Sequence, residues 1–237
     1  MGDYIKTGLT LTVFALAVGI LLAGVYLLTK DPIEKADLSN QLRAIQTVLT
    51  DMKTGELLVP ESQIPASSQA LSEMILMEDE TEVLYQSPSW KGTVYSPVYS
   101  TKLKNGKNVA IVTGSAVGYG GNVKIVASFA KGENGFDLLR IEVLDYSQET
   151  PGLGAKISED SAKRRFSDIP KEGLSHQIKV DKDTTISGLT TTEAIDKAKS
   201  EGIVYISDIM TGATITPRAV ANTINTMTEY LTKEWGD

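Results

Sequence analysis

The chain has 237 residues, 23 basic against 30 acidic side chains, a formal net charge of −7 and no cysteine. The negative balance argues against a nucleic-acid partner and against adhesion to anionic lipid headgroups, both of which call for basic surface. Without cysteine there are no disulfides, thiolate metal sites or cysteine-held iron–sulfur clusters, so any redox chemistry must use another cofactor.

In chain order, Thr7 to Thr29 makes 23 uncharged residues held between Lys6 and Lys30, long enough to cross a hydrocarbon core as a helix. A cleaved signal peptide would have a shorter apolar region followed by a small-x-small site. Leu27-Leu28-Thr29-Lys30-Asp31-Pro32 offers no such site, which favours an uncleaved anchor over residues 1–30. Lys6 and the terminal amine precede the span, and Lys30 and Lys35 follow it beside Asp31, Glu34 and Asp37, so the positive-inside bias leaves orientation open. Setting aside Lys6, Lys30 and Asp3, the rest of the chain carries a formal charge of −8 and is long enough for one domain with a sizeable core.

Asp31-Pro32-Ile33-Glu34 reads as an N-cap, a first-turn proline and a reciprocal acid. A break is therefore expected after the span, then an amphipathic helix through Leu38, Leu42, Ile45 and Leu49. Residues 53–80, with Gly55, Pro60, Pro65 and Ser67-Ser68, read as a loop followed by a short helix near Leu71 to Met77. The span 31–80 is thus expected as a juxtamembrane helix and loop region, and 81–237 as the main domain. Val94 to Leu103 and Asn108 to Ser115 flank Asn105-Gly106, and Val123 to Ala130 and Phe136 to Tyr146 flank Asn134-Gly135. These are two Asn-Gly hairpin signals in an antiparallel meander. Ser158 to Phe166 and Thr191 to Lys199 read as helices around a strand near Gln177 to Val180. Strands followed by helices define an α+β fold, a twisted antiparallel sheet with helices packed against it.

Several residues have bland readings. Gly118-Tyr119-Gly120-Gly121-Asn122-Val123 reads as a hairpin loop and fails the dinucleotide fingerprint, because its sixth position is valine and no βαβ unit follows. Lys163-Arg164-Arg165 reads as a solvated helix face, and Glu78-Asp79-Glu80 as surface acids without calcium-loop spacing. His176 is the only histidine, so no histidine-based metal site or Ser-His-Asp triad can be built. No catalytic residue and no metal ligand is assigned.

Two segments carry more. In Glu149-Thr150-Pro151-Gly152-Leu153-Gly154 the Pro-Gly pair marks a turn, and Gly154 leaves room for a planar ligand. In Asp208-Ile209-Met210-Thr211-Gly212-Ala213-Thr214 a glycine able to take positive φ precedes a hydroxyl. Thr216 has N-cap chemistry and Pro217 suits the first helical position, so a helix is expected from Pro217, with Val220, Ile224, Met227 and Leu231 on one face. Unpaired amides at such a helix mouth favour a phosphate. Ser187-Gly188-Leu189-Thr190 echoes the second segment but lacks its alanine and its acidic spacing.

The stretch from Asp208 to Thr214 resembles the flavinylation motif of the FMN-binding domains found in the G subunit of the Rnf complex and the C subunit of the Nqr complex. The Glu149 to Gly154 stretch resembles the ETPGLG segment of the same domains, and Val117 to Asn122 is similar to their glycine-rich turn. The resemblance implies FMN attached by a separate flavin transferase, through a phosphoester, to Thr214. It implies further contacts from Thr211, Gly212, Ala213, Thr216, Glu149, Thr150, Leu153, Gly154 and Tyr119. Asp208 is assigned to recognition by the transferase or to fixing the turn. The implied function is a membrane-anchored electron-transfer subunit of an Rnf-type complex that couples ferredoxin:NAD electron transfer to ion translocation. Its partners would be the other membrane and iron–sulfur subunits. The implied location is the cytoplasmic (inner) membrane, single-pass, with the FMN domain on the extracytoplasmic side. An Nqr-type C subunit of a sodium-translocating NADH:quinone reductase, or a noncatalytic anchored binding module, remains the alternative.

Overall fold

A computed structural model describes residues 2–236. The chain divides into two compact units, residues 1–41 and 42–237. Residues 2–41 of the first lie within helix α1 (Gly2–Val48), whose apolar side chains between Leu9 and Leu28 are solvent-exposed. Among the described residues, α1 is the one helix long and apolar enough to cross a membrane. An unpartnered apolar surface of that length is stable in lipid and not in water. The break expected at Asp31-Pro32 is absent, and Pro32 lies inside the helix. An interior proline removes one hydrogen bond and disfavours a helix by about 3 kcal/mol, but residues 33–49 contain no glycine or second proline to stop propagation. Because the preceding turns are already helical, Asp31 has no orphan N–H groups to cap.

In the second unit the end of α1 is buried at Ala44, Ile45 and Val48. A loop follows, then α2 (Ser68–Ser72), whose first turn Ser67 caps by accepting the Ala70 N–H at 3.2 Å. The helix expected near Leu71 to Met77 thus starts earlier and ends sooner, since Ile75–Met77 forms strand β1 against the next sheet strand. Strand β2 (Val83–Gln86), not expected from the sequence, pairs with that same strand. The four expected strands are present as β3 (Gly92–Lys102), β4 (Asn108–Val117), β5 (Asn122–Gly132) and β6 (Gly135–Asp145). They form an antiparallel sheet in the order β1-β3-β4-β5-β6.

Beyond the sheet come α3 (Asp160–Arg165), α4 (Lys171–Ser175), β7 (Lys179–Val180), α5 (Thr192–Ser200), β8 (Ile203–Val204) and α6 (Ile215–Trp235). Strands β7 and β8 pair in parallel. Helix α6 lies across the sheet with Val220, Ile224, Met227 and Leu231 fully buried in one core with Val123, Ile125, Ala127 and Phe129 of β5. Each of the larger of these side chains, Val, Ile, Leu, Met and Phe, contributes about 1.5–3 kcal/mol by leaving water. The intervening β5 residues face the other way, and there Ser128 donates a 2.6 Å hydrogen bond to the Val48 carbonyl. The sheet is therefore covered on both faces, an α+β arrangement.

Candidate functional site

The antiparallel register sets the site at one end of the sheet. Val117 pairs with Asn122 and Lys124 with Asp145, so the β4–β5 hairpin turn and the chain leaving β6 emerge together. Glu149, buried at 5 % exposure, joins these two segments to the third. Its Oε1 accepts the Tyr119 N–H at 2.8 Å and the Gly120 N–H at 3.4 Å, and its Oε2 accepts the Thr216 hydroxyl. A buried carboxylate is tolerated where its lone pairs find donors in this way.

The helix begins earlier than the sequence suggested. Its first residue is Ile215, and Thr214 is the N-cap, with no capping bond from its side chain. Thr216 spends its hydroxyl on Glu149 instead of capping, and Pro217 falls third in the helix. The first backbone bond of the helix runs from the Arg218 N–H to the Thr214 carbonyl at 3.4 Å. The Ile215 and Thr216 amides, ahead of any carbonyl partner, are thus the unpaired donors of a helix mouth.

A cavity of about 410 Å³ opens there, lined by Tyr119, Glu149, Thr150, Leu153, Gly154, Gly212, Ala213, Thr214, Ile215 and Thr216. Nine of these are residues singled out from the sequence, and Ile215 is the addition. Thr211 does not line it, because its hydroxyl turns back to donate to the Ser207 carbonyl at 3.2 Å. The volume lies within the roughly 300–1,000 Å³ of small-molecule sites. Gly212 has φ +86°, a left-handed conformation that only glycine adopts readily. A Cβ on Gly154 would come within 2.7 Å of the Thr216 Oγ1 and closer still to Glu149, so a side chain there would push apart the struts of the site. Outside α1, the exposed large apolar side chains are Val117, Tyr119, Leu153 and Ile215 among the described residues, and all four sit on or beside this cavity. Apolar rim, unpaired amides and uncommitted hydroxyl suit a molecule that is a flat ring at one end and a phosphate at the other.

Charged residues support the site from outside. Arg165 pairs with Asp208 at 2.6 Å and lies over the Tyr205 ring. Burial opposes the charge of Lys163, but hydrogen bonds to Glu142 at 2.8 Å and Asp160 at 3.0 Å outweigh it and raise its pKa. The basic run is therefore not a solvated face. Only Arg164 of the three is exposed, because the helical turn points its neighbours at acids on β6 and the 205–208 segment. Hydrogen bonds from Arg218 to Asp183 hold the arginine pKa up. His176 and Glu78-Asp79-Glu80 are exposed.

Residues 118–229 match the FMN-binding domain family, and residues 3–48 match the N-terminal region of RnfG. The protein is thus an FMN-binding domain carried behind an apolar N-terminal helix, and its cofactor is FMN. A solved RnfG subunit of an electron transport complex from Thermotoga maritima is 37% identical, with a TM-score of 0.61, over 81% of this chain and 95% of that one. The chain belongs to the RnfG family. It is also 33% identical to the G subunit of an ion-translocating oxidoreductase complex from Shewanella piezotolerans, over 62% of this chain but only 61% of that relative's length. The corresponding G subunit from Vibrio parahaemolyticus is 27% identical over 95% of this chain and 88% of its own. The G subunit of a proton-translocating ferredoxin:NAD(+) oxidoreductase complex from Clostridium ljungdahlii is 30% identical over 54% and 57%.

Proposed function

We propose that this chain is the electron-carrying G subunit of an Rnf-type complex, holding FMN on Thr214 through a phosphoester. When bound, FMN supplies the redox chemistry, and the protein supplies position, polarity and retention. The observation that carries the reading is the state of Thr214, an N-cap that lines the cavity while its hydroxyl makes no capping bond. Ile215 and Thr216 would present their amides to the phosphate, and Tyr119, Leu153 and Ile215 would meet the apolar ring. The names of the relatives support a place in a multi-subunit ion-translocating oxidoreductase; its partners would be the other membrane and iron–sulfur subunits of an Rnf-type complex that couples ferredoxin:NAD electron transfer to ion movement. The α1 helix would anchor the chain in the cytoplasmic membrane with the flavin domain outside, where free FMN is not readily replaced. A covalent tether makes occupancy independent of free ligand concentration.

Attachment is tested by producing the chain with a flavin transferase and reading fluorescence on a denaturing gel. Thr214→Ala is expected to abolish the fluorescent band, with Thr211→Ala retaining it. A fluorescent Thr214→Ala band would remove Thr214 from the reaction.

A further inference from the structure

The segment that carries Thr214 is held from outside the motif by three consecutive side chains. Asp181, Lys182 and Asp183 form a single turn after β7. Asp181, 3 % exposed, accepts the Ile206 N–H at 3.0 Å. Lys182 Nζ donates to the Met210 carbonyl at 2.7 Å and to the Ala213 carbonyl at 2.6 Å. Asp183 takes both oxygens to Arg218 Nε at 2.8 Å, in the first turn of α6. Successive side chains thus grip the start, middle and end of the 206–218 stretch, and Arg165 holds Asp208 from the other flank.

The middle grip bears on chemistry. A trans peptide is planar, with its C=O and N–H pointing in opposite directions. Lys182 captures the Ala213 carbonyl, so the N–H of the same peptide, that of Thr214, is aimed away from Lys182. Capture of the Met210 carbonyl does the same for the Thr211 N–H. Lys182 does not line the cavity, whereas Ala213 and Thr214 do. Had the Ala213 carbonyl turned outward, its negative end would face an incoming phosphate, the reverse of the polarity that helix mouths offer to anions.

Resting on Thr214 as the attachment site, we propose that Lys182 is a positioning residue for flavin attachment, holding two carbonyls inward so that the Thr214 hydroxyl and N–H face the phosphate. In the reaction the Thr214 Oγ1 forms a bond to the phosphorus on the FMN side of FAD, and the pyrophosphate P–O bond breaks. AMP leaves with the bridging oxygen, and the hydroxyl proton passes to a base on the transferase. No oxidation or reduction occurs. Lys182 takes no part in these transfers; it sets the direction in which the acceptor peptide points.

The test uses the full-length chain, purified in detergent without co-produced transferase, then incubated with purified flavin transferase and FAD at several chain concentrations. Covalent FMN is followed by gel fluorescence and intact mass, with the thermal midpoint of each variant measured beforehand. Lys182→Met is expected to lower the kcat of attachment about tenfold, the scale of losing charge-assisted hydrogen bonds, with KM for the chain changed less than about threefold. Lys182→Arg should recover most of the rate, and Lys179→Met, at an exposed position in the same region, should behave as wild type. Should Lys182→Met fail to fold, the same split is read on Lys182→Gln, which keeps a neutral donor group but loses the charge. An unchanged kcat in the folded variant overturns the proposal, as does a loss confined to KM, which would mark a surface read by the transferase. A wild-type chain that takes up no flavin beside a modified control flavoprotein removes the attachment reading itself. Modification at Thr214 with equal rates for wild type and Lys182→Met removes Lys182 alone.

Discussion

Two threonines two positions apart do different work. Thr214 keeps its hydroxyl out of any cap and at the cavity, while Thr216 is 1 % exposed and gives its hydroxyl to Glu149. The sequence suggested a cap at Thr216, because a threonine before a proline is a common helix start. What overrode it was a buried carboxylate needing a donor, 67 residues away along the chain. Replacing Thr216 by valine keeps the shape and removes that donor, leaving Glu149 buried and under-satisfied. Thr216→Val is therefore expected to destabilise the domain by about 1–3 kcal/mol, read as a lower thermal midpoint. An unshifted midpoint would mean that the Thr216–Glu149 bond contributes nothing.

At the scale of elements, the sheet and its site are linked through register. Pairing of Val117 with Asn122 and of Lys124 with Asp145 puts the two loops at one end, and α6 crosses the sheet to bring its N-terminus there. Helix α3 is tied to β6 by Lys163, whose side chain is 9 % exposed and whose partner Glu142 is 19 % exposed. Removing the cation leaves a largely buried carboxylate unpaired, so Lys163→Met is expected to destabilise by about 3 kcal/mol, measurable by urea unfolding in detergent. Glu142→Gln should rescue part of that loss in the double variant, because it removes the stranded charge. No recovery in the double variant would show that the lysine acts through packing alone.

For the whole molecule, the exposed apolar helix and the negatively charged domain have to occupy different media. The side of the membrane taken by the domain is open to a direct measurement, because the natural chain contains no cysteine. A cysteine introduced by Ser187→Cys, at an exposed position, should react with a membrane-impermeant maleimide in intact spheroplasts, and Gly2→Cys only after lysis. The opposite pattern would place the flavin domain in the cytoplasm.

The sequence by itself determined the apolar span, the four long strands with their Asn-Gly hairpins and the apolar face of α6, and its motifs, through their resemblance to the FMN-binding domains, pointed to nine of the ten residues lining the cavity. Each of these is written in local periodicity, in turn chemistry or in a short motif. The resemblance also implied FMN and an Rnf-type subunit, with the Nqr type as the alternative. Tertiary structure decided the rest: that α6 starts at Ile215, that Lys163 and Arg165 face acids, and that Lys182 reaches the Ala213 carbonyl 31 residues on. A lysine in Asp-Lys-Asp has the composition of any surface turn. Its partners are backbone carbonyls, which have no side-chain identity to read in a sequence and become a binding partner only when the fold brings two distant segments within about 3 Å.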